Sequence, residues 1–575
     1  MHPTLPRLGI VVLLLCVPQG VRAQQEARTQ HLLLISDATT REPIRGARVH
    51  REGEAIGLTD ALGELRVYVN RAVDTLQVTA IGYRPAFVTA SSGGTDTIRV
   101  PLVATAVALT DLVAITSGAL VRGGSSEWTI SGAATRTMPA AGEPDAFRVL
   151  KLVPAVSFTS VLSSRPLIRG VDADDAGFVI DGHEAINLFH IGRFFSAFPA
   201  LAVGQIRVVA QPSRLDVGRS TSGRIEIDGA EWQEGRRSEV QYGLGAWSLA
   251  TGWKSEHHSG FFAGRTIEGA LAGAADDGSE VSLSIGDLYG RVDLGADRHT
   301  SFTIFRSIDR VVDRSPDGGA PGQRAGLDWG NLILGASTRL LDRSNGNVAV
   351  HVSFSEHFEE GSDIPARGTS TGVNNLARRF AAGMTGSAAM GLGGTRIEGG
   401  IDVGQRQIRN VLTPEDPGVL PAAALDLDAM DVGAHLALVL PLLGGELRGG
   451  ARIDAFNGAS ALQPRLSFAA PFARSWWVSA GIGRAARLVH LISDARSEPK
   501  VAYYDLWLPA DDDAVPMAVA DHFSAEIGWN SESSTLRLGV FTADGTGQME
   551  LVPEYAALGG VPLIRRGRLR VRGAE

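Results

Sequence analysis

From residue 229 onward, apolar and polar residues alternate over one short stretch after another. Val348, Val350, Val352 and Phe354 enclose Ala349, His351 and Ser353, with Ser355 following. Val281, Leu283 and Ile285 alternate with Ser282, Ser284 and Gly286, and Ile397, Ile401 and Val403 stand opposite Glu398 and Asp402. Phe523, Ala525, Ile527 and Trp529 alternate with Ser524, Glu526 and Gly528, and Leu536, Leu538 and Val540 continue the style. Successive side chains of a strand point to opposite faces, so this pattern prescribes two-faced β-strands. Asp342-Arg343-Ser344-Asn345-Gly346-Asn347 supplies turn chemistry between two of them. Alternation and turn spacing predict roughly sixteen strands after residue 224. Segments of about ten residues, apolar outside and polar inside, characterise transmembrane β-barrels. Soluble sandwiches alternate too, but rarely in so long an array.

Composition removes other classes. A chain of 575 residues exceeds one compact core, which predicts two to four domains. The net charge of -9, with no basic block, argues against nucleic acid as a partner. Cys16 is the only cysteine, so neither a disulfide framework nor a cysteine zinc site is expected. Beyond the first 25 residues no apolar run approaches the roughly 18 residues of a membrane helix. Those first residues read as a secretory signal peptide, 1–23. Arg7 is the basic start, Leu8 to Val17 the apolar stretch, and Val21-Arg22-Ala23 the small-residue site before Gln24. The stretch is short for a membrane anchor, and Leu15 before Cys16 does not suit lipid attachment.

Residues 31–104 read as a small β-sandwich. His31 to Ile35 is an apolar strand, and Leu65, Val67 and Val69 alternate with Arg66, Tyr68 and Asn70. Thr59-Asp60-Ala61-Leu62-Gly63 is turn chemistry, and Leu76 to Ala80 is a further strand. Pro43-Ile44-Arg45-Gly46-Ala47, Thr59-Asp60 with Gly63, and Gly82-Tyr83 make this region resemble the carboxypeptidase regulatory-like domain. The resemblance implies a structural module with no catalytic residues.

A linker, 105–127, follows. Within it Leu109-Thr110-Asp111-Leu112-Val113-Ala114-Ile115-Thr116 is short, apolar and bounded by glycines. An extended segment of this kind can add a strand to a partner's sheet edge. A plain linker or a last sandwich strand fits it equally.

Residues 128–228 carry an ordered series of landmarks. Phe147 to Val156 reads as a short helix closed by Pro154, followed by Arg169-Gly170 after an apolar strand and Asp181-Gly182 after a second. Gly204-Gln205-Ile206-Arg207-Val208 is a third strand, and Ser220-Thr221-Ser222-Gly223-Arg224-Ile225 leads onward. In this order the segment resembles the plug of TonB-dependent outer-membrane transporters. Ala155 stands where that family usually has Gly, and Gln205 and Val208 stand at positions usually acidic. Leu462 to Phe468 and Trp476 to Arg484 extend the likeness, resembling an adjacent strand pair of such barrels.

The resemblance implies a mostly β protein: the N-terminal sandwich, a mixed α/β plug domain at 128–228, and an antiparallel transmembrane barrel at 229–575. It implies active uptake of a small ligand, whether iron chelate, cobalamin, glycan or peptide, with a TonB-type energy-transducing protein, outer-membrane lipid and a surface lipoprotein as partners. It makes Leu109 to Thr116 a TonB box and gives Arg169, Gly170, Asp181 and Gly182 structural roles in the plug. A barrel enclosing a plug needs about 22 strands, so about sixteen lead us to expect an incomplete, C-terminally truncated barrel. The aromatic fraction of 6% predicts thin interfacial girdles.

No enzymatic motif stands out, and no cofactor or metal is expected. His183-Glu184-Ala185-Ile186-Asn187 lacks a second zinc-ligating histidine and reads as a loop. Asp172 to Gly177 is only a partial calcium loop, since position twelve is His183 rather than Glu. His257-His258 and Asp511-Asp512-Asp513 read as solvated turns or loops. Two other functions remain open: a non-transporting outer-membrane interaction or assembly protein, and a soluble secreted glycan-binding β-protein.

Overall fold

The computed structural model describes residues 29–102 and 126–575, apart from 39–40, 52–53, 61, 70–72, 81–82, 84–85, 92–96, 139–143, 161–162, 211–213, 232–234, 244, 271–280, 296–298, 314–325, 344, 367–368, 391–393, 416–422, 474, 493–504, 512–514, 532–533 and 553–562. The expected signal peptide and the whole 109–116 segment lie outside the described residues. The chain divides into two compact units, Met1–Asp111 and Leu112–Glu575.

Among the described residues, the first unit contains seven strands: β1 (Thr29–Asp37), β2 (Arg48–Arg51), β3 (Glu54–Leu58), β4 (Glu64–Val69), β5 (Val73–Thr79), β6 (Ala86–Ser91) and β7 (Thr97–Leu102). They form one sheet in the order β4-β1-β7 and another in the order β3-β2-β5-β6. Leu33, Ile35, Val67, Val69, Val100 and Leu102 of the first share a buried core with Val49, Leu76 and Val78 of the second. Each such side chain contributes about 1.5–3 kcal/mol on burial. Thr59 pins the turn region: its Oγ1 accepts from the Ala47 amide at 2.8 Å and donates to the Ile44 carbonyl at 2.7 Å. Asp60 accepts from the amides of Leu62 and Glu64, both at 2.9 Å, and Gly63 takes a φ of 72°.

The second unit begins with an inner domain. Its elements are β8 (Glu127–Ser131), a short helix α1 (Gly132–Thr137), β9 (Val156–Phe158), β10 (Pro166–Ile168), β11 (Ala176–Ile180), β12 (His183–Ala185), β13 (Val203–Val209) and β14 (Gly223–Gly229). Five of the strands make a mixed sheet in the order β12-β11-β14-β13-β8, in which only β11 and β14 run parallel. The predicted helix before Pro154 is a 3-10 turn, Arg148–Leu152. Phe147, Phe178 and Phe189 meet edge-on or tilted with centroids 5.5 to 5.7 Å apart at the centre of the core. The expected loop at His183–Ala185 is instead a strand, because the turn at 181–182 folds these residues back onto 178–180.

The rest of the chain builds one sheet of sixteen strands. They are β15 (Gly235–Tyr242), β16 (Ala246–Lys254), β17 (His258–Ala270), β18 (Val281–Leu294), β19 (Thr300–Asp313), β20 (Gly326–Arg343), β21 (Gly346–Ala366), β22 (Thr369–Ala389), β23 (Arg396–Pro414), β24 (Ala423–Leu442), β25 (Gly445–Phe456), β26 (Ala459–Pro471) and β27 (Trp476–Arg487). After a separate hairpin of β28 (Val489–Ile492) and β29 (Leu506–Pro509) come β30 (Ala518–Asn530), β31 (Thr535–Val552) and β32 (Leu563–Ala574). Each strand of the sheet pairs antiparallel with the next. The longest connections, after β17, β19, β23, β27 and β31, all fall at the same end of the strands.

Sixteen strands spaced by about 4.8 Å would span roughly 70 Å if flat. A domain of about 100 residues has a radius of gyration near 13 Å. Yet the inner domain shares its core with Ala250 on β16 and Phe261 on β17, and hydrogen-bonds to Ser524 and Glu526 on β30 and Gln548 on β31. The sheet therefore curls around it as a wall.

The two faces of the wall differ in chemistry. Outward-facing Leu249, Leu288, Leu334, Phe380, Met430, Leu436, Leu462, Ile482 and Leu538 are exposed, whereas inward-facing Asp287, Asp309, Arg379, Arg406, Asp431 and Asp454 are buried. Aromatic residues Phe472, Trp476 and Trp529 cluster at the short-turn end, with centroid separations of 6.2 and 6.5 Å. One stretch reverses the expected sense. Ile285 points inward and is 1% exposed, and Leu283 packs beside Ile191 of the inner domain. Here the wall's inner surface meets an apolar part of the enclosed domain, so the apolar side turns inward and Ser284 outward.

Candidate functional site: the seam between inner domain and wall

The two dipeptides singled out in the sequence occupy equivalent turns. Asp181 and Gly182 have φ of 49° and 87°, and Ile180 pairs with His183 across them. Arg169 and Gly170 have φ of 50° and 79°, with Ile168 and Val171 exchanging backbone hydrogen bonds. Two successive positive φ values define a type I′ turn, for which an Asp-Gly pair is well suited and glycine at the second position carries little strain.

Each turn then reaches the wall through its first side chain. Asp181 Oδ1 accepts from the Gly229 amide at 2.8 Å and from Arg291 Nη1 at 3.1 Å. Its Oδ2 accepts from Tyr289 Oη at 2.7 Å and Thr303 Oγ1 at 2.9 Å. One carboxylate thus joins the turn, the end of β14, β18 and β19. Arg169 Nη2 donates to Ser126 Oγ at 2.7 Å and to Glu575 Oε1 at 2.5 Å, and its guanidinium lies 4.4 Å from the Phe541 ring centroid. The expected TonB-box residues Leu109 to Thr116 are not among the described residues.

Further anchors were not foreseen. His190 Nδ1 lies 2.5 Å from Asp309 Oδ1, and its Nε2 lies 3.1 Å from Asp287 Oδ2 and 2.9 Å from Arg265 Nη2. Glu184 Oε1 accepts from Arg406 Nη2 at 2.8 Å, and Arg219 Nη2 donates to Asp402 Oδ2 at 2.6 Å. Burial alone would raise the Glu184 carboxyl, but Arg406, Arg379 and Arg219 hold it below its usual range. The acids of the partial calcium loop are engaged as well: Arg165 pairs with Asp172 and Asp174, and Arg487 with Asp175. The signal for the wall-side partners was present, since charged residues such as Asp287, Arg291 and Asp293 recur on one face of a strand. Their destinations were not legible.

The seam is uneven. On β16 to β20, Ala250, Phe261, Tyr289, Phe305 and Ile333 join the inner domain's own apolar core, alongside the Asp181 and His190 anchors. On β22 to β26 the meeting is largely ionic, through Arg379, Arg406, Asp402, Asp431 and Arg465. A cavity of about 500 Å³ lies on this ionic side, lined by His183, Glu184, Arg219, Asp402, His435 and Arg452 among others. Parting apolar surfaces costs free energy with nothing in return, whereas parted charges regain hydration. The ionic side is therefore the side at which water can replace protein contacts.

No family model matches the chain, and no curated protein matches it in sequence. Solved structures share its fold. A variant of the ferric enterobactin receptor PfeA from Pseudomonas aeruginosa aligns with TM-score 0.56 at 12% identity, over 74% of this chain and 72% of that one. The FrpB iron transporter from Neisseria meningitidis aligns with TM-score 0.55 at 13% identity, over 79% and 77%. The copper transporter OprC aligns with TM-score 0.56 at 13% identity, over 80% and 76%. The chain thus shares with these proteins the fold of a long antiparallel β-wall curled around an inner domain.

Proposed function

We propose that the protein is a TonB-dependent outer-membrane transporter, with 128–228 as its plug and 229–575 as its barrel. The observation that carries this reading is a folded domain ringed by wall strands and tied to them by polar side chains such as Asp181, Arg169 and Glu184. Such a domain blocks the lumen, and opening it requires outside work. In this reading Leu109 to Thr116 is the TonB box, exported behind a signal peptide at 1–23, and pairs as a strand with a TonB-type protein. The exposed apolar outer face meets lipid. The sandwich serves as a carboxypeptidase regulatory-like module. A pull on the linker opens the ionic side of the seam, where water replaces the Glu184 and Arg219 contacts. The iron and copper in the names of the three neighbours put a metal complex first among cargoes, ahead of cobalamin, glycan and peptide. A surface lipoprotein is a further partner.

The test is a set of single cysteines at positions 109–116 in cells with a TonB periplasmic domain carrying a cysteine in its pairing strand. The reading predicts site-specific cross-links in this stretch and loss of growth on ferric chelates as sole iron source when 109–116 is deleted. Absence of both results would overturn it.

A further inference from the structure

Apart from the cavity, three metal-ligating side chains converge in the lumen. His357 and Glu359 project inward from β21, and Asp505 immediately precedes β29 in the connection between β27 and β30. All three are buried, at 1, 1 and 2% exposure, and a ligand atom from each lies within 4.8 Å of the other two. We propose that His357, Glu359 and Asp505 bind one divalent transition-metal ion, which fastens the β27–β30 connection to the wall.

Outer contacts orient each candidate ligand. His357 Nδ1 lies 3.1 Å from Asn331 Oδ1, which leaves Nε2 facing the carboxylates. Asn375 Nδ2 holds Glu359 Oε2 at 3.1 Å. Asn187 Nδ2 holds Asp505 Oδ2 at 3.0 Å, and Arg193 Nη2 holds Oδ1 at 2.8 Å. Ligand residues oriented by outer hydrogen bonds, as these are, are the usual architecture of protein metal sites.

Charge argues in the same direction. Glu359 receives hydrogen bonds from the Asp505 amide at 2.9 Å and from Asn375, and lies 3.2 Å from His357 Nε2; none of these donors is a guanidinium or ammonium. Arg193 is shared between Asp505 and Asp174. Two buried carboxylates with one shared guanidinium must take up a proton or a cation, since an isolated buried charge is costly. A divalent cation compensates it. One imidazole nitrogen with two carboxylate oxygens suits a borderline ion such as Zn2+, Fe2+ or Mn2+, with bonds of about 2.0–2.2 Å. Such an ion would bridge segments of chain 146 positions apart. Trp329 and Trp507 flank the His357 ring at 4.9 and 5.9 Å and screen the site from water.

The inference goes beyond the transport reading, and its test needs no transport. Full-length protein in detergent micelles, stripped with chelator, is titrated with Zn2+ and separately with Mn2+ by calorimetry and tryptophan fluorescence. One saturable site per chain is expected, with Glu359→Gln and Asp505→Asn each weakening binding at least tenfold while heat-modifiable gel migration is unchanged. X-ray absorption of the Zn2+-loaded wild type should show one nitrogen and at least two oxygen ligands. This measurement decides the matter should either variant fail to fold. No saturable binding, wild-type affinity in both folded variants, or a ligand shell without nitrogen would overturn the proposal.

Discussion

Asp181 and Tyr289 stand 108 positions apart in the chain and meet at 2.7 Å, where the phenol donates to the carboxylate. The same carboxylate accepts from Thr303, Arg291 and the Gly229 amide, and it is 2% exposed. A turn residue of the inner domain is thereby the junction of two wall strands.

Replacing Asp181 with Ala takes the carboxylate from the buried Tyr289 and Thr303 hydroxyls and leaves Arg291 with Asp293 as its remaining acidic partner. Removing one partner of such a buried charged network costs about 3–5 kcal/mol. Deuterium exchange should accelerate across 176–185 and 223–229, while heat-modifiable migration shows the wall still folded. Unchanged exchange in both segments would remove Asp181 from its anchoring role.

Two glycines separate backbone strain from crowding. A Cβ on Gly170 meets nothing within 4 Å, although the φ of 79° disfavours a side chain. Gly170→Ala should therefore cost only about 1 kcal/mol. A Cβ on Gly229 would fall 1.6 Å from Tyr289 Oη. Gly229→Ala should be several times more damaging, as read from the thermal midpoints of the two variants.

Acid should loosen the inner domain through His183. Burial holds its imidazole at about 4, with Asp181 opposing and His351 and Arg291 assisting. An unfolded histidine titrates near 6.5, so the fold favours the neutral ring. That contribution is complete above about pH 6.5 and is lost as pH falls through 6.5 towards 4, roughly 3 kcal/mol in all. Calorimetry from pH 7.5 to 4 should show a falling midpoint, and His183→Asn should flatten the fall.

The outer face can be tested with one charge. Leu538 is 58% exposed on β31. If that face meets hydrocarbon, Leu538→Arg costs about 2–4 kcal/mol near the bilayer midplane. The variant should then accumulate poorly in the outer-membrane fraction. A water-facing position would tolerate the change.

Much of the architecture was readable from local pattern. Alternation around Phe523 to Trp529 and Leu536 to Val540 predicted strands and the correct outward face. Roughly sixteen strands were expected, and the sheet has sixteen. The Asp181-Gly182 and Arg169-Gly170 pairs announced their turns because positive φ has a short-range signature. Their partners did not, because Tyr289, Arg291 and Glu575 approach only once the wall has curled. The same reason explains the reversed stretch at Leu283, whose inward sense goes with a cluster that includes Ile191, far away in sequence. His190 carries no spacing signal, since its significance comes from Asp287 and Asp309 on two other strands.

The enclosure of the inner domain is tested most directly by a cysteine pair at Ser126 and Ser524, whose Oγ atoms lie 3.4 Å apart. In intact cells the double variant Ser126→Cys, Ser524→Cys should form an intramolecular disulfide on mild oxidation, seen as a reducible shift in gel mobility, and neither single variant should do so. Full-length protein in the outer-membrane fraction that never forms this bond would contradict the account, since the inner domain would then lie outside the wall.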